Sequence, residues 1–101
     1  MNEAQRINFY SIKDVGMNFF CPPFLANSDD DAKRMVRDSI EPNSVLSRFP
    51  RDYHLYRVGS MNSRSGIDNN DLLCICSVND LVRPEVLAET TIPGEEDKPG
   101  E

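Results

Sequence analysis

The sequence predicts an α+β domain: a small, three- to four-stranded, mostly antiparallel sheet with one helix packed on one face, followed by a disordered acidic C-terminal tail. Three observations predict it. Runs rich in β-branched and aromatic residues occur early and late in the chain, one capped amphipathic helix lies between them, and a stretch of Pro, Gly and acidic residues closes the chain. A chain of 101 residues has the size of one domain with one hydrophobic core. Hydrophobic residues at 39% and charged residues at 28% suit a globular chain, while a mean hydropathy of -0.51 points to polar loops or tails.

Each element has a local reason. Arg6 to Lys13 reads Arg-Ile-Asn-Phe-Tyr-Ser-Ile-Lys, with Ile7 and Phe9 on one face and Tyr10 and Ile12 on the other, so a strand buried on most of both faces is expected. Asp14-Val15-Gly16 forms a turn, and Met17 to Phe20 pairs back as a short strand until Cys21-Pro22-Pro23 ends it, because proline cannot donate to a ladder. Phe24 and Leu25 lead the chain across the core. The helix that follows is capped by Asn27 or Ser28, carries Asp29, Asp30 and Asp31 at the positive end of its dipole, and stops by Pro42. Ala32, Met35, Val36, Ser39 and Ile40 make its narrow apolar face, with Lys33, Arg34 and Arg37 along one flank. Asp30 lies one turn before both Lys33 and Arg34, the spacing of a solvated, ion-paired flank.

Val45 to Phe49 forms a turn of helix that packs Leu46 and Phe49, closed by Pro50. Tyr53 to Ser60 is a strong strand, with Tyr53, Leu55 and Arg57 on one side and His54, Tyr56 and Val58 on the other. Met61 to Asp71, rich in Asn, Ser, Gly and Asp, suits a polar hairpin loop. Leu72 to Val78 then pairs antiparallel with Tyr53 to Ser60. The folded domain is expected over residues 5–84 and the tail over residues 85–101.

The formal net charge of -6 argues at first against a nucleic-acid partner, since phosphate binding needs Lys and Arg to displace counterions. Its distribution removes the objection. Between Gln5 and Pro84 ten basic residues balance ten acidic ones, and the excess lies in Glu3 and in residues 85–101, where six acidic residues face Lys98 alone. No apolar run approaches the ~20 residues that span a bilayer, and Met-Asn-Glu-Ala-Gln-Arg is not a secretory leader, so no membrane partner is expected.

Cys21, Cys74 and Cys76 are an odd number, and two stand one residue apart in an apolar run, which predicts free thiols in a reducing compartment. With His54 as the single histidine and no C-x₂-C or H-x₃-H spacing, neither a metal nor another cofactor is expected. His54 sits mid-strand without a sequence-adjacent nucleophile or orienting acid, Gly16, Gly59 and Gly66 make no phosphate loop, and the three aspartates lack EF-hand spacing. A binding protein is expected rather than an enzyme.

The order of features resembles the small nonstructural protein family of gokushoviruses, single-stranded DNA microviruses that infect bacteria. The matching pieces are Ile7-Asn8-Phe9-Tyr10-Ser11-Ile12-Lys13-Asp14, Pro22-Pro23-Phe24-Leu25-Ala26, then Ala32, Arg34 and Asp38, and above all Phe49-Pro50-Arg51-Asp52-Tyr53-His54-Leu55-Tyr56-Arg57-Val58-Gly59-Ser60, with Gly66 in the following loop. Arg51 departs from the acidic residue found there in many relatives, and the C-terminal tail has no counterpart.

The resemblance implies a nonstructural phage protein in the cytoplasm of the bacterial host, DNA-binding and linked to single-stranded genome synthesis or packaging. Single-stranded DNA requires a basic track with aromatic faces for stacking. The candidates are Lys33, Arg34 and Arg37 on the helix flank, Arg48, Arg51, Arg57 and Arg64 around the middle strand and its loop, and Tyr53 or Tyr56 as stacking surfaces. The acidic tail would compete with DNA for that basic surface. The alternative is an adaptor for a viral or host protein, or a homodimer formed through an uncovered sheet edge or face.

Overall fold

The computed structural model describes residues 6–68 and 72–91. In chain order it contains β1 (Arg6–Asp14), β2 (Phe19–Phe20), β3 (Phe24–Ala26), α1 (Asp29–Ser39), α2 (Val45–Arg48), β4 (Tyr53–Asn62), β5 (Gly66–Asp68), β6 (Leu73–Ser77) and α3 (Pro84–Ala88). Single 3-10 turns at Pro50–Asp52 and Val78–Asp80 precede β4 and follow β6.

The α+β class and antiparallel pairing stand, but the described residues hold six strands and three helices rather than three or four strands and one helix. The reason is that both edges of the sheet are divided. β1 and β4 pair along nearly their whole length at the centre, while β2 and β3 share the outer edge of β1, and β5 and β6 share that of β4. Cys21-Pro22-Pro23 interrupts the first edge as proline must, and pairing resumes at Phe24, which had been expected only to cross the core. On the second edge the expected polar loop holds a tight hairpin instead. Asn62 pairs with Gly66 across three residues, Gly66 takes the positive φ of 91° that this turn demands, and the Asn62 side chain accepts from the backbone N–H of Arg64 and Ser65.

Two register shifts decide which way side chains point. Phe9 pairs with Gly59 and Tyr10 with Arg57, so Val58 is an extra residue without a β1 partner. Leu55 pairs with Cys76 and Tyr56 with Cys74, so Ile75 is extra in β6. Each bulge sends residues that simple alternation would place on one face to opposite faces. Cys76 packs inward with Ile75 while Cys74 stays exposed.

Ser28 caps α1, its Oγ accepting from the Asp31 N–H at 3.1 Å, and Ala32, Val36 and Ile40 bury one stripe of the helix. They meet Tyr10, Ala26 and Leu55 of the sheet and Val78, Leu81 and Val86 beyond it in one core. Leu46 packs against this core as expected, whereas Phe49 is 42% exposed beneath the Arg48 guanidinium; α2 ends before Pro50 as expected, and Pro50 itself opens a 3-10 turn.

The expected boundary at residue 84 falls too early. Pro84 starts α3 and Val86 is buried. Asn43, itself at φ 63°, donates its backbone N–H to Thr90 Oγ1 at 3.1 Å and accepts the Thr91 N–H on its side chain at 2.8 Å. Within the acidic stretch 85–101, Val86 is an apolar anchor to the core, and residues 92–101 lie outside the described residues.

Candidate nucleic-acid interface

Strand alternation gives the sheet two faces, and the helices gather on one. Tyr10, Ile12, Leu55 and Tyr53 share the covered face through the pairs Tyr10 with Arg57, Ile12 with Leu55 and Asp14 with Tyr53. The other face carries the remaining partners: Phe9 with Leu25 and Gly59, Ser11 with Tyr56, Lys13 with His54 and Phe20, Ile7 with Met61, and Met61 with Ile67. Phe20, Leu25, Met61 and Ile67 are all exposed there.

One half of this open face is aromatic and cationic. The Phe20 and Tyr56 rings meet edge to face with centroids 5.4 Å apart, and Lys13 Nζ lies 5.3 Å from the first centroid and 5.5 Å from the second. Ser11, buried beside them, donates its hydroxyl to the Cys21 carbonyl at 2.6 Å, which fastens the end of the edge strand to β1. Cys74 Sγ lies 3.7 Å from His54 Nδ1. The other half is made by the apolar side chains of Ile7, Phe9, Leu25, Met61 and Ile67, with Arg6 bordering the hollow beside Ile7 and Met61. An ammonium held over exposed rings is chemically suited to an anionic chain with planar groups; the apolar half is suited to apolar contact.

The residues singled out from the sequence are scattered. Tyr56 lies on the open face, but Tyr53 turns inward against the core, where burial first and the Asp14 charge second push its phenol up. Arg57 points to the covered face, and its Nη1 donates to both oxygens of Asp29 at 3.1 Å. Tyr10 donates its hydroxyl to Asp29 Oδ1 at 2.6 Å and accepts from Asn8 Nδ2 at 3.0 Å, and burial followed by the Asp29 hydrogen bond raises its pKa. This cluster ties the start of α1 to the sheet, so Arg57 is a structural residue.

On the helix flank Arg34 pairs with Asp31 at 3.0 Å and Lys33 approaches Asp30 at 3.9 Å, while Arg37 is exposed without an ion pair among the described residues. Arg48 and Arg51 border a separate hollow with Phe49, Asp52, Asn79 and Leu87, and Arg64 lies in the β4–β5 turn. Lys13, Phe20 and His54 were absent from the basic and aromatic candidates. The alternation of Lys13 with Ile7 and Phe9 is visible in the sequence, but the pairing of Phe20 and His54 with Lys13 is not, and only the position of the helices shows that this face stays open among the described residues. Among the described residues no three His, Cys, Asp or Glu side chains converge as metal ligands, and no helix is long and apolar enough to cross a membrane.

A family model described as the phage ORF5 protein matches residues 7–81. No curated protein and no solved structure matches the chain.

Proposed function

Because this chain belongs to the phage ORF5 protein family, we propose that it is a nonstructural phage protein that binds single-stranded DNA through the open face of its sheet. In this reading it acts in the cytoplasm of the bacterial host and assists genome synthesis or packaging, in keeping with its resemblance to the gokushovirus proteins. The observation that carries the proposal is the ammonium of Lys13 lying over both Phe20 and Tyr56 on an uncovered sheet. Bases stack on such rings whatever their identity, and a phosphate takes up the lysine charge.

Gel-shift titration of the full chain with single-stranded DNA at two salt concentrations tests it. Tyr56→Ala should weaken binding about tenfold, within the ~1–3 kcal/mol that stacking of one base contributes. Lys13→Ala should reduce the slope of log affinity against log salt by about 0.7, the value for one phosphate on a single strand. No shift at low salt, or an affinity and salt slope in both variants equal to those of the parent chain, overturns the proposal.

A second reading has its own observation. The apolar half of the same face, Ile7, Phe9, Leu25, Met61 and Ile67, suits a second copy or another protein. Salt-insensitive association in sedimentation, weakened by Ile67→Asp, would favour that reading over DNA.

A further inference from the structure

The geometry points to a thiol-modification site on the open face, in which Cys74, with His54 as its base, undergoes thiol–disulfide exchange with small disulfides of the oxidised-glutathione class. The three cysteines differ sharply in their surroundings. Cys76 packs against the core, and burial pushes its thiol up against the opposing influence of Lys33, which keeps it in the unreactive protonated form. Cys21 is half-buried at the end of β2, where its carbonyl is held by Ser11. Cys74 alone among them is exposed, and its sulfur lies 3.7 Å from an imidazole nitrogen. The extra residue Ile75 produces this division, since strict alternation would have put Cys74 and Cys76 on one face.

The chemistry closes on these atoms. With His54 Nδ1 unprotonated, the Cys74 thiol proton passes to it and the thiolate attacks one sulfur of the small disulfide. A new S–S bond forms to Cys74 while the original S–S bond breaks. The departing thiolate takes the proton back from the imidazolium and leaves as a thiol. Cys74 is oxidised, the departing half is reduced, and the disulfide supplies the oxidant. Lys13, the cross-strand partner of His54, adds a positive charge that favours an anionic disulfide such as oxidised glutathione.

Tyr56 is the cross-strand partner of Cys74, so the attached tripeptide would stand beside a proposed stacking ring. This consequence rests on the DNA-binding reading, whereas the reactivity of the thiol does not.

The test is to incubate the full chain with oxidised glutathione, quench at intervals and quantify the added mass on each cysteine-bearing peptide. Cys74 should react roughly tenfold faster than Cys21 or Cys76, and His54→Gln should slow it by about the same factor, since an unassisted thiol is only a few per cent thiolate at pH 7. Circular dichroism and His54→Asn separate loss of the base from loss of the fold, because unfolding would instead accelerate Cys21 and Cys76. Faster reaction at either other cysteine, or an unchanged Cys74 rate in both folded His54 variants, overturns the assignment. If the unmodified protein binds single-stranded DNA, the modified form should not, and dithiothreitol should restore binding. If the unmodified protein does not bind, the nucleic-acid reading fails while the rates still decide the thiol assignment.

Discussion

The two faces of the sheet come from the same strands, and both are rich in apolar side chains. On one, Tyr10 and Leu55 have no exposed surface; on the other, Leu25 is 48% and Ile67 68% exposed. What differs is the cover. α1 offers one narrow stripe, Ala32, Val36 and Ile40, and Val86 of α3 joins the same core, so the helices seal a single face. An apolar face that the described residues leave open is a surface for contact with something else. The sharpest way to break this contrast is a pair of truncations. Leu55→Ala should cost about 2–5 kcal/mol in urea unfolding, as buried leucines do, whereas Ile67→Ala should stay within about 0.5 kcal/mol. Equal costs would mean that the open face is covered in solution.

Neighbouring residues in β4 sharpen the contrast further. Arg57 and Tyr56 are adjacent in sequence but serve opposite faces. Arg57→Ala removes the contacts to Asp29, and hydrogen bonds between charged groups contribute about 1.5–3 kcal/mol. Because the two side chains keep 26% and 36% of their surface in solvent, the lower end of that range is expected. Arg57→Ala should therefore lower stability and leave DNA affinity nearly unchanged, the reverse of Tyr56→Ala. A DNA-affinity loss in folded Arg57→Ala equal to that of Tyr56→Ala would place the interface on the covered side.

How much of this could be read in advance depended on range. Period-two alternation correctly separated Ile7 and Phe9 from Tyr10 and Ile12, and Tyr53, Leu55 and Arg57 from His54 and Tyr56, because that separation is a property of a single strand, but it could not show that the run breaks at Val58, the bulged residue. A helix cap at Asn27 or Ser28 was legible for the same reason, and Ser28 is the one that fills it. β3 and β5 were not, since three residues carry no periodicity and depend on a long neighbour for pairing. Nor was the role of Arg57, whose carboxylate partner lies 28 residues away and is met only when α1 docks on the sheet. Lys13 looked like the end of a strand, and it became a candidate binding residue only when Phe20 returned beside it and the helices left its face uncovered.

The smallest expected effect concerns alkaline pH and again divides the faces. Tyr10 and Tyr53 of the covered side both have pKa values above the ordinary 10.0, chiefly because burial disfavours the phenolate, with Asp29 adding to the first and Asp14 to the second. Cys76 is displaced upward from 9.0 in the same way. Below these ordinary values the folded and unfolded chains hold the same protons at the three sites, so the stabilisation relative to the ionised forms is fully present. As pH rises past 9 and then 10, the unfolded chain releases protons that the folded chain retains. The folded state then binds more protons, and stability must fall until the folded groups also ionise. Tyr10→Phe should lower stability at pH 7 by about 1 kcal/mol through the lost hydrogen bond to Asp29, yet show a shallower decline between pH 9 and 11 than the parent protein. Urea midpoints across that interval measure both effects. An unchanged alkaline slope in Tyr10→Phe would mean that the phenol is less enclosed than its place between Asn8, Asp29 and the Phe24 ring implies.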